Sequence, residues 1–377
     1  MEDIPKKDYF IDYSKVLGKG SFGTVYKGIS YKNNKEQTVA LKQIPKEIIN
    51  DKKKLELFQN ELVISANLFD EEDNDEDGQS KMKNIVLFLD IIEINNSNYL
   101  VYEFCNGGDL KRYLRYFRNF DENLIQIILR QILIGLDRLH KKKVVHHDIK
   151  PENILVELQL PEGDNSNLEE TVELIMEATN PKLFGKINKK IDKPRILNIL
   201  TNSIFKLSDF GLSKEMKNYN TKEISGSPLY VDPELFNKNI DQETIHNEKV
   251  DIWALGVLSY QMVFNELPFQ PFPPKIDGLK KLFDKGEYFI DMKKCNKISK
   301  QFLSFLNMCL QRPQKIRPLP DELLMSEFIT REPEHFEYLT IDNYKTINYP
   351  DDSYLKKDGG ITMSIDDNRN INATFDF

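Results

Sequence analysis

The sequence predicts an α+β protein in which a small β-rich lobe is followed by a larger helical lobe. Three observations carry this. The first hundred residues alternate like strands around glycine and turn clusters. After Gly107–Gly108 the apolar spacing changes to the helical period. Finally, Asp251–Phe264 is apolar on nearly every side, which marks a helix buried in a large core. A chain of 377 residues suffices for one large domain or two ordinary ones. A ligand is expected in the cleft between two such lobes.

Taken in order, Tyr13–Gly18, Thr24–Ser30 and Gln37–Ile44 read as strands. The first two meet across Gly18–Gly23 and the last two across the turn-rich Lys32–Lys35. From about Lys53 to Leu68 a charged helix places Leu55, Phe58, Leu62 and Ile64 or Ser65 near helical spacing. Asp70–Asp77 reads as a solvated acidic loop. Strands resume at Asn84–Glu93 and Tyr99–Phe104, and the lobes join through about Glu103–Gly108. Leu124, Ile128, Leu133, Leu136 and Leu139 mark a long amphipathic helix ending at Lys141–Lys143, and Lys300–Leu310 is another. No internal repeat is evident.

Composition excludes several classes. With 40% hydrophobic and 30% charged residues the profile is that of a soluble globular chain. A net charge of -8 argues against nucleic acid as the main partner, because a phosphate backbone calls for a basic face. Cys105, Cys295 and Cys309 are widely spaced with no CxxC, so neither a disulfide framework nor a zinc site is expected. The opening MEDIPKKDYF has no apolar signal core, and Glu2 stands where myristoylation requires glycine. The longest apolar run, Ile85–Ile92, is broken by Asp90 and is too short to span a bilayer. The expectation is a cytoplasmic or nuclear protein with no membrane insertion.

The chemistry begins at GKGSFGTV, Gly18–Val25. A dinucleotide fingerprint of this type must open into a helix, so that the helix N-terminus meets pyrophosphate. Here Thr24-Val25-Tyr26 follows, a strand signal, which leaves a glycine hairpin whose backbone can fold over phosphates. Further on stand Val39-Ala40-Leu41-Lys42, HHDIKPEN at His146–Asn153, Asp209-Phe210-Gly211, Asp232-Pro233-Glu234, the DIWALG of Asp251–Gly256, and Arg317. Alone, an Asp-Phe-Gly is a turn and Lys42 a strand-edge charge. Together, in this order, the motifs resemble those of eukaryotic-type protein kinases over about residues 9–330.

That resemblance implies the two-lobed protein-kinase fold, with an N-lobe at 9–104, a C-lobe at 105–330 and ATP between them. It implies ATP and Mg²⁺ as cofactors and protein Ser/Thr hydroxyls as acceptors. Leu17, Gly18, Lys19, Gly20, Ser21, Phe22, Gly23, Val25 and Ala40 are then expected to enclose the nucleotide, and Glu103 and Cys105 to meet adenine through backbone groups. Lys42 is expected on the α/β-phosphates, held by a helix glutamate for which Glu61 is the first candidate and Glu56 the second. Asp209 and Asn153 are the implied Mg²⁺ ligands. Asp148 is the implied catalytic base, and Lys150, two residues on, meets the γ-phosphate as in serine/threonine kinases. GSPLY at Gly226–Tyr230 fits the same class. Tyr102 is expected at the back of the pocket, and Arg317 to pair with Glu234. EFCNGGDLKRYL, Glu103–Leu114, resembles both the unc-51-like autophagy-initiating kinases and calcium/calmodulin-dependent relatives.

Several positions depart from that pattern. His147 stands where most such kinases have the arginine that docks a phosphorylated activation loop, so phosphorylation at Thr221 or Ser225 is expected to matter less here. These departures also admit a pseudokinase, an ATP-binding scaffold without turnover. Asp232 replaces a small alanine. Ser65 falls where an apolar residue is usual, so either the lobe contact is looser or the helix register differs. Cys105 reads as a small buried hydrophobe rather than a reactive thiol. Residues from about 157 to 202 are an insertion, in which Leu168, Val172, Ile175 and Met176 suggest an amphipathic helix that either docks a partner or is simply solvated or packed on the lobe. The tail, 331–377, is read as disordered, as wrapping back on the domain, or as a partner site.

Overall fold

In a computed structural model, residue parity along two central strands decides which side chains face the helix packed on the sheet. The structure describes residues 8–20, 23–32, 35–44, 51–68, 82–94, 97–180, 191–215, 227–236, 247–269, 297–311, 313–332, 361–365 and 371–375, with positions 278 and 281. Strands β1 (Tyr9–Gly20), β2 (Gly23–Ser30), β3 (Gln37–Ile44), β4 (Phe88–Ile94) and β5 (Ser97–Glu103) form an antiparallel sheet in the order β1-β2-β3-β5-β4. Odd positions of β3 and β5 (Val39, Leu41, Tyr99 and Val101) pack with Tyr9 and Ile11 on one face. Even positions point the other way, as the period of two requires. There Ile44, Leu100 and Tyr102 meet Phe58 and Leu62 of helix α1 (Lys52–Asn67). Lys42 and Ala40 share that parity, opposite Leu100 and Tyr102.

The glycine hairpin closes as expected, with Gly18 opposite Val25 and Gly20 opposite Gly23. The strand expected from Asn84 starts only at Phe88. Asn84 is instead turned inward, where its amide donates to Gln131 Oε1 and to the Phe205 carbonyl. Ile85 bridges in parallel to Leu207, so this stretch already belongs to the helical lobe. Ile64 of α1 and Leu68, just past its end, join the large core that also holds Phe210. The helix register is thus the expected one, and these two residues supply the apolar contact that Ser65 does not.

In the second lobe, helices start where short polar side chains can cap them. Asp109 accepts from the Arg112 N–H to open α2 (Leu110–Phe117), and Asp121 accepts from Leu124 to open α3 (Glu122–Lys141). The short strands β6 (Val144–Val145) and β7 (Ile154–Glu157) flank the catalytic-loop sequence. Beyond β7 lies the insertion, which forms α4 (Leu168–Ala178) and α5 (Lys193–Asn202), capped by Asn167 and Asp192. Ile175, Ile196, Ile199 and Leu200 are buried in the main core. Arg112 Nη1 donates to the Met176 carbonyl at 3.2 Å. Of the two readings of the insertion, packing on the lobe describes both helices.

β8 (Ile204–Leu207) pairs with β7, and β9 (Lys214–Glu215) pairs with β6. Helix α6 (Lys249–Phe264) is buried from Val250 to Tyr260, as its uniform apolarity predicts. It is followed by α7 (Lys300–Cys309), α8 (Pro320–Leu324) and α9 (Glu327–Thr330). Arg317 grips Asp232 with both terminal nitrogens, and Gln314 Nε2 adds a bond at 2.9 Å. The unusual aspartate thus neutralises a buried guanidinium, which also lies over the Trp253 ring. Arg331 reaches Glu122 at 2.8 Å, and Glu122 also accepts from Ser299. Two tail strands, β10 (Ile361–Ile365) and β11 (Ile371–Phe375), pair with each other.

Gly256 sets the approach of α6 to α7: a Cβ there would lie 2.8 Å from Cys309 Cβ and from Leu310 Cδ2. Gly256→Ala should therefore destabilise the fold by about 1–3 kcal/mol through overpacking, despite the better helix propensity of alanine. Urea denaturation, with the slope compared between variants, measures this.

Candidate active site

Lys42 brings three elements together. Its Nζ donates to Glu61 Oε1 of α1 at 2.5 Å and to Asp209 Oδ1 at 3.1 Å. The pairing selects Glu61 over Glu56, which is exposed on α1. Burial alone would lower the lysine pKa, but the two carboxylates outweigh it and hold the ammonium above the ordinary lysine value. Burial would likewise raise Asp209, yet the Lys42 charge keeps that carboxyl below its usual range. The Asp209 side chain is 40% exposed, so an oxygen remains open toward the cleft. Asp209 itself adopts a left-handed backbone, φ 65°, ahead of the Phe210–Leu212 turn.

The HHDIKPEN loop, His146–Asn153, is organised by one buried carboxylate. Asp251 on α6 accepts the His146 N–H at 2.8 Å, the His147 N–H at 2.8 Å and His140 Nε2 at 2.9 Å. Burial works against its charge, but the His140 bond prevails and its pKa lies below the ordinary carboxylate value. His147 takes a left-handed φ of 68° to make this turn. The His146 ring donates from Nε2 to the Ser208 carbonyl and stands 5.4 Å from the Phe210 ring, so it packs between loop and turn.

Asp148 is buried and surrounded by donors. Lys150 Nζ lies 2.6 Å from Oδ2, and Asn153 Nδ2 donates to the same oxygen at 2.8 Å. Ser227 donates to Oδ1 through both its N–H, at 3.0 Å, and its hydroxyl, at 2.8 Å. Lys150 also reaches Ser227 Oγ at 2.8 Å, so an aliphatic hydroxyl sits between a carboxylate and an ammonium. The Asn153 amide nitrogen is committed to Asp148, which leaves its oxygen as the atom for a cation. Asp209 and Asn153 supply hard oxygens suited to Mg²⁺. Among the described residues no three His, Cys, Asp or Glu groups converge to hold a metal.

At the junction of the lobes, Glu103 turns its side chain away from solvent. Oε1 accepts the Leu87 N–H at 2.8 Å and Oε2 accepts Lys206 Nζ at 2.7 Å, with Glu157 on the same ammonium. Sequence reading passed over Lys206; its signal was a lone charge within the apolar strand IFKL. Nothing in GSPLY, which in sequence only fits the serine/threonine class, shows that the Ser227 hydroxyl meets Asp148. Cys105 is buried and its thiol is pushed up to about 12, first by burial and then by the Glu103 charge. Leu17 is exposed on β1, and Val25 and Ala40 are half-buried. Gly18, Lys19 and Gly20 lie on the β1 arm of the hairpin and Gly23 on the β2 arm. Ser21, Phe22, Thr221, Ser225 and Cys295 lie outside the described residues.

Residues 11–326 match the family described as protein tyrosine and serine/threonine kinase. The chain belongs to the protein kinase family, and its five-stranded sheet followed by a helical region is that family's two-lobed fold. It is similar to the human serine/threonine-protein kinase ULK1, with 29% identity over 84% of this chain and 25% of that protein. Similarity extends to unc-51 of Caenorhabditis elegans, 30% identical over 70% of this chain and 26% of that protein. Calcium-dependent protein kinase 5 of Plasmodium berghei (strain Anka) is 29% identical over 84% of this chain and 44% of that protein. The chain thus spans less than half the length of these relatives. Among the described residues no helix is long and apolar enough to cross a membrane.

The buried thiols give a direct test of the site's packing. Cys105 and Cys309, both buried and both raised in pKa, should resist iodoacetamide near neutral pH and react only after unfolding. Peptide mass spectrometry before and after denaturant reads this out.

Proposed function

We propose that the chain is a serine/threonine protein kinase whose catalytic unit runs over residues 9–330. The observation that carries this is a hydroxyl, Ser227 Oγ, held between Asp148 and Lys150 in the cleft where Lys42 joins Glu61 to Asp209. That arrangement is already shaped for an aliphatic acceptor hydroxyl.

Each residue then has a task. Lys42, fixed by Glu61, holds the α/β-phosphates, and the glycine hairpin from Leu17 to Val25 covers them. Ala40 and the backbone at Glu103 and Cys105 border the adenine. Asp209 and Asn153 would hold Mg²⁺, which supplies charge neutralisation on the phosphates. Asp148 orients the acceptor hydroxyl and takes its proton as the oxygen attacks the γ-phosphorus and ADP leaves. Lys150 steadies the charge on the transferred group. The names of the relatives, all serine/threonine or calcium-dependent kinases, support the acceptor class. We assign protein substrates on the same ground; the insertion, packed on the lobe, and the tail are the surfaces left for other partners.

Transfer of labelled phosphate from Mg·ATP to a generic protein substrate tests the reading, with phosphoamino-acid analysis of the product. Asp148→Asn should lower kcat by about 10²–10⁴-fold while nucleotide binding survives. A wild type that binds ATP yet transfers nothing, under every activating condition tried, would replace this reading with an ATP-binding scaffold.

Activation should not require a charged loop. Lys42 and Glu61 are paired and β9 is paired with β6 in a chain that has His147 in place of an arginine. Thr221→Ala with Ser225→Ala should therefore keep activity close to wild type in the same assay, and its abolition would refute this.

A further inference from the structure

Glu61 accepts a second donor besides Lys42. The Tyr102 hydroxyl donates to the same oxygen, Oε1, at 3.2 Å. Tyr102 can reach it because its parity on β5 turns it toward α1, opposite Ala40 of β3. The ring is held edge-on by Phe88 at 5.6 Å, and Phe58 and Leu62 of α1 pack on the same cluster. The phenol therefore arrives on a rigid strand, in a ring pose fixed by neighbours.

Ser65 explains how the phenol has room. It lies one helical turn beyond Glu61, and its side chain is 1% exposed. Its hydroxyl makes no well-formed hydrogen bond, but it lies close enough to Tyr102 to act on the phenol's titration. A leucine or methionine there would bring a longer, apolar side chain into a packed site, and overpacking forces side chains out of place. The small residue that departs from the family pattern and the tyrosine behind the pocket thus fit each other. Burial, and then the Glu61 charge, raise the tyrosine pKa well above its ordinary value. Tyr102 remains a donor throughout the physiological range.

We propose that Tyr102 is a positioning residue for phosphoryl transfer: with Ser65 making room, its hydroxyl fixes Glu61, and through it Lys42, from inside the N-lobe sheet. This rests on the reading of Lys42 as the phosphate-binding lysine. Helix α1 then has two fastenings at one carboxylate, an ion pair to β3 and a hydrogen bond to β5. The second donor belongs to the same lobe, so this one hydrogen bond is made without the activation segment.

Tyr102→Phe removes the hydroxyl and keeps the ring. A hydrogen bond to a charged group is worth about a tenfold effect, so kcat/KM for ATP should fall about tenfold with the melting temperature nearly unchanged. In a Glu61→Gln background the same change should have no further effect, since the acceptor it serves is already altered. Hydrogen exchange gives a readout independent of turnover: amides of residues 52–67 should exchange faster in Tyr102→Phe, while those of 122–141 should not. Wild-type kinetics and wild-type exchange in Tyr102→Phe would overturn the proposal, as would losses that add fully to those of Glu61→Gln. Faster exchange in 52–67 alongside a wild type that transfers no phosphate would leave Tyr102 as the fastening of Glu61 and bring down the kinase reading instead.

Discussion

An ammonium buried between two carboxylates is the constraint on which the rest of the cleft depends. Lys42 is 12% exposed, too deep to be hydrated as a free cation, so its charge is tolerable only beside Glu61 and Asp209. Those three residues come from a strand, a helix and a turn far apart in sequence. Satisfying one charge therefore draws β3, α1 and the Phe210 turn into a single arrangement. Removing Lys42 would leave the buried Glu61 carboxylate without its counter-charge, which costs more than the pair itself contributes. The apolar contacts of Ile64 and Leu68 with the core around Phe210 act in the same direction, so packing and charge agree.

Asp251 plays the corresponding part in the helical lobe. It projects from a helix buried on nearly all sides, and its two oxygens collect three donors from His140, His146 and His147. Two of those donors are successive backbone N–H groups, and presenting both to one carboxylate bends the chain to φ 68° at His147. A non-glycine residue in that region costs of order 1 kcal/mol, and the charge-assisted bonds offset it. The bend aims Asp148 into the cleft, where Lys150, Asn153 and Ser227 fill its acceptor positions. Position 147 contributes to this through its backbone. A histidine there preserves the loop, whereas what it changes is the side-chain charge next to the activation segment.

The order of elements was legible in the sequence wherever one period ran unbroken. β3 and the helix at 249–264 agree with expectation within a residue or two, because alternation in one and uniform apolarity in the other leave a single arrangement open. Expectation failed at Asn84, where an apolar run that suits a strand is turned aside by one amide bonding to Gln131 and Phe205. No local pattern encodes a partner some fifty or a hundred residues away. The same limit separates what the motifs told of the site from what they did not. Motif spacing brought Lys42, Asp148, Asn153 and Asp209 together, since each is fixed to a strand end or a tight loop. It was silent about Tyr102 on Glu61, Lys206 on Glu103 and Asp232 on Arg317, which are side-chain pairings across elements. In two of these three a residue looked anomalous in sequence, a lysine in an apolar strand and an aspartate where a small residue is usual.

The segment between β7 and β8 shows how a long stretch of chain can be added beside the lobe junction. It leaves from β7 and returns into β8, and because those strands pair with each other its two ends are already adjacent. Closing such a loop costs entropy that grows only slowly with length. The lobe junction is in turn stitched to its stem. Gly107 N–H donates to the Val156 carbonyl, Val156 N–H donates to Gly108, and Leu158 N–H donates to the Asn106 side chain. Lys206 completes the stitching by bonding Glu103 at the junction and Glu157 at the stem. Strain in α4 or α5 would thus reach the backbone at 103–108 through short, mostly buried bonds. The apolar residues that seat both helices in the main core oppose that strain, which is the physical reason for an insertion here to be folded onto the lobe.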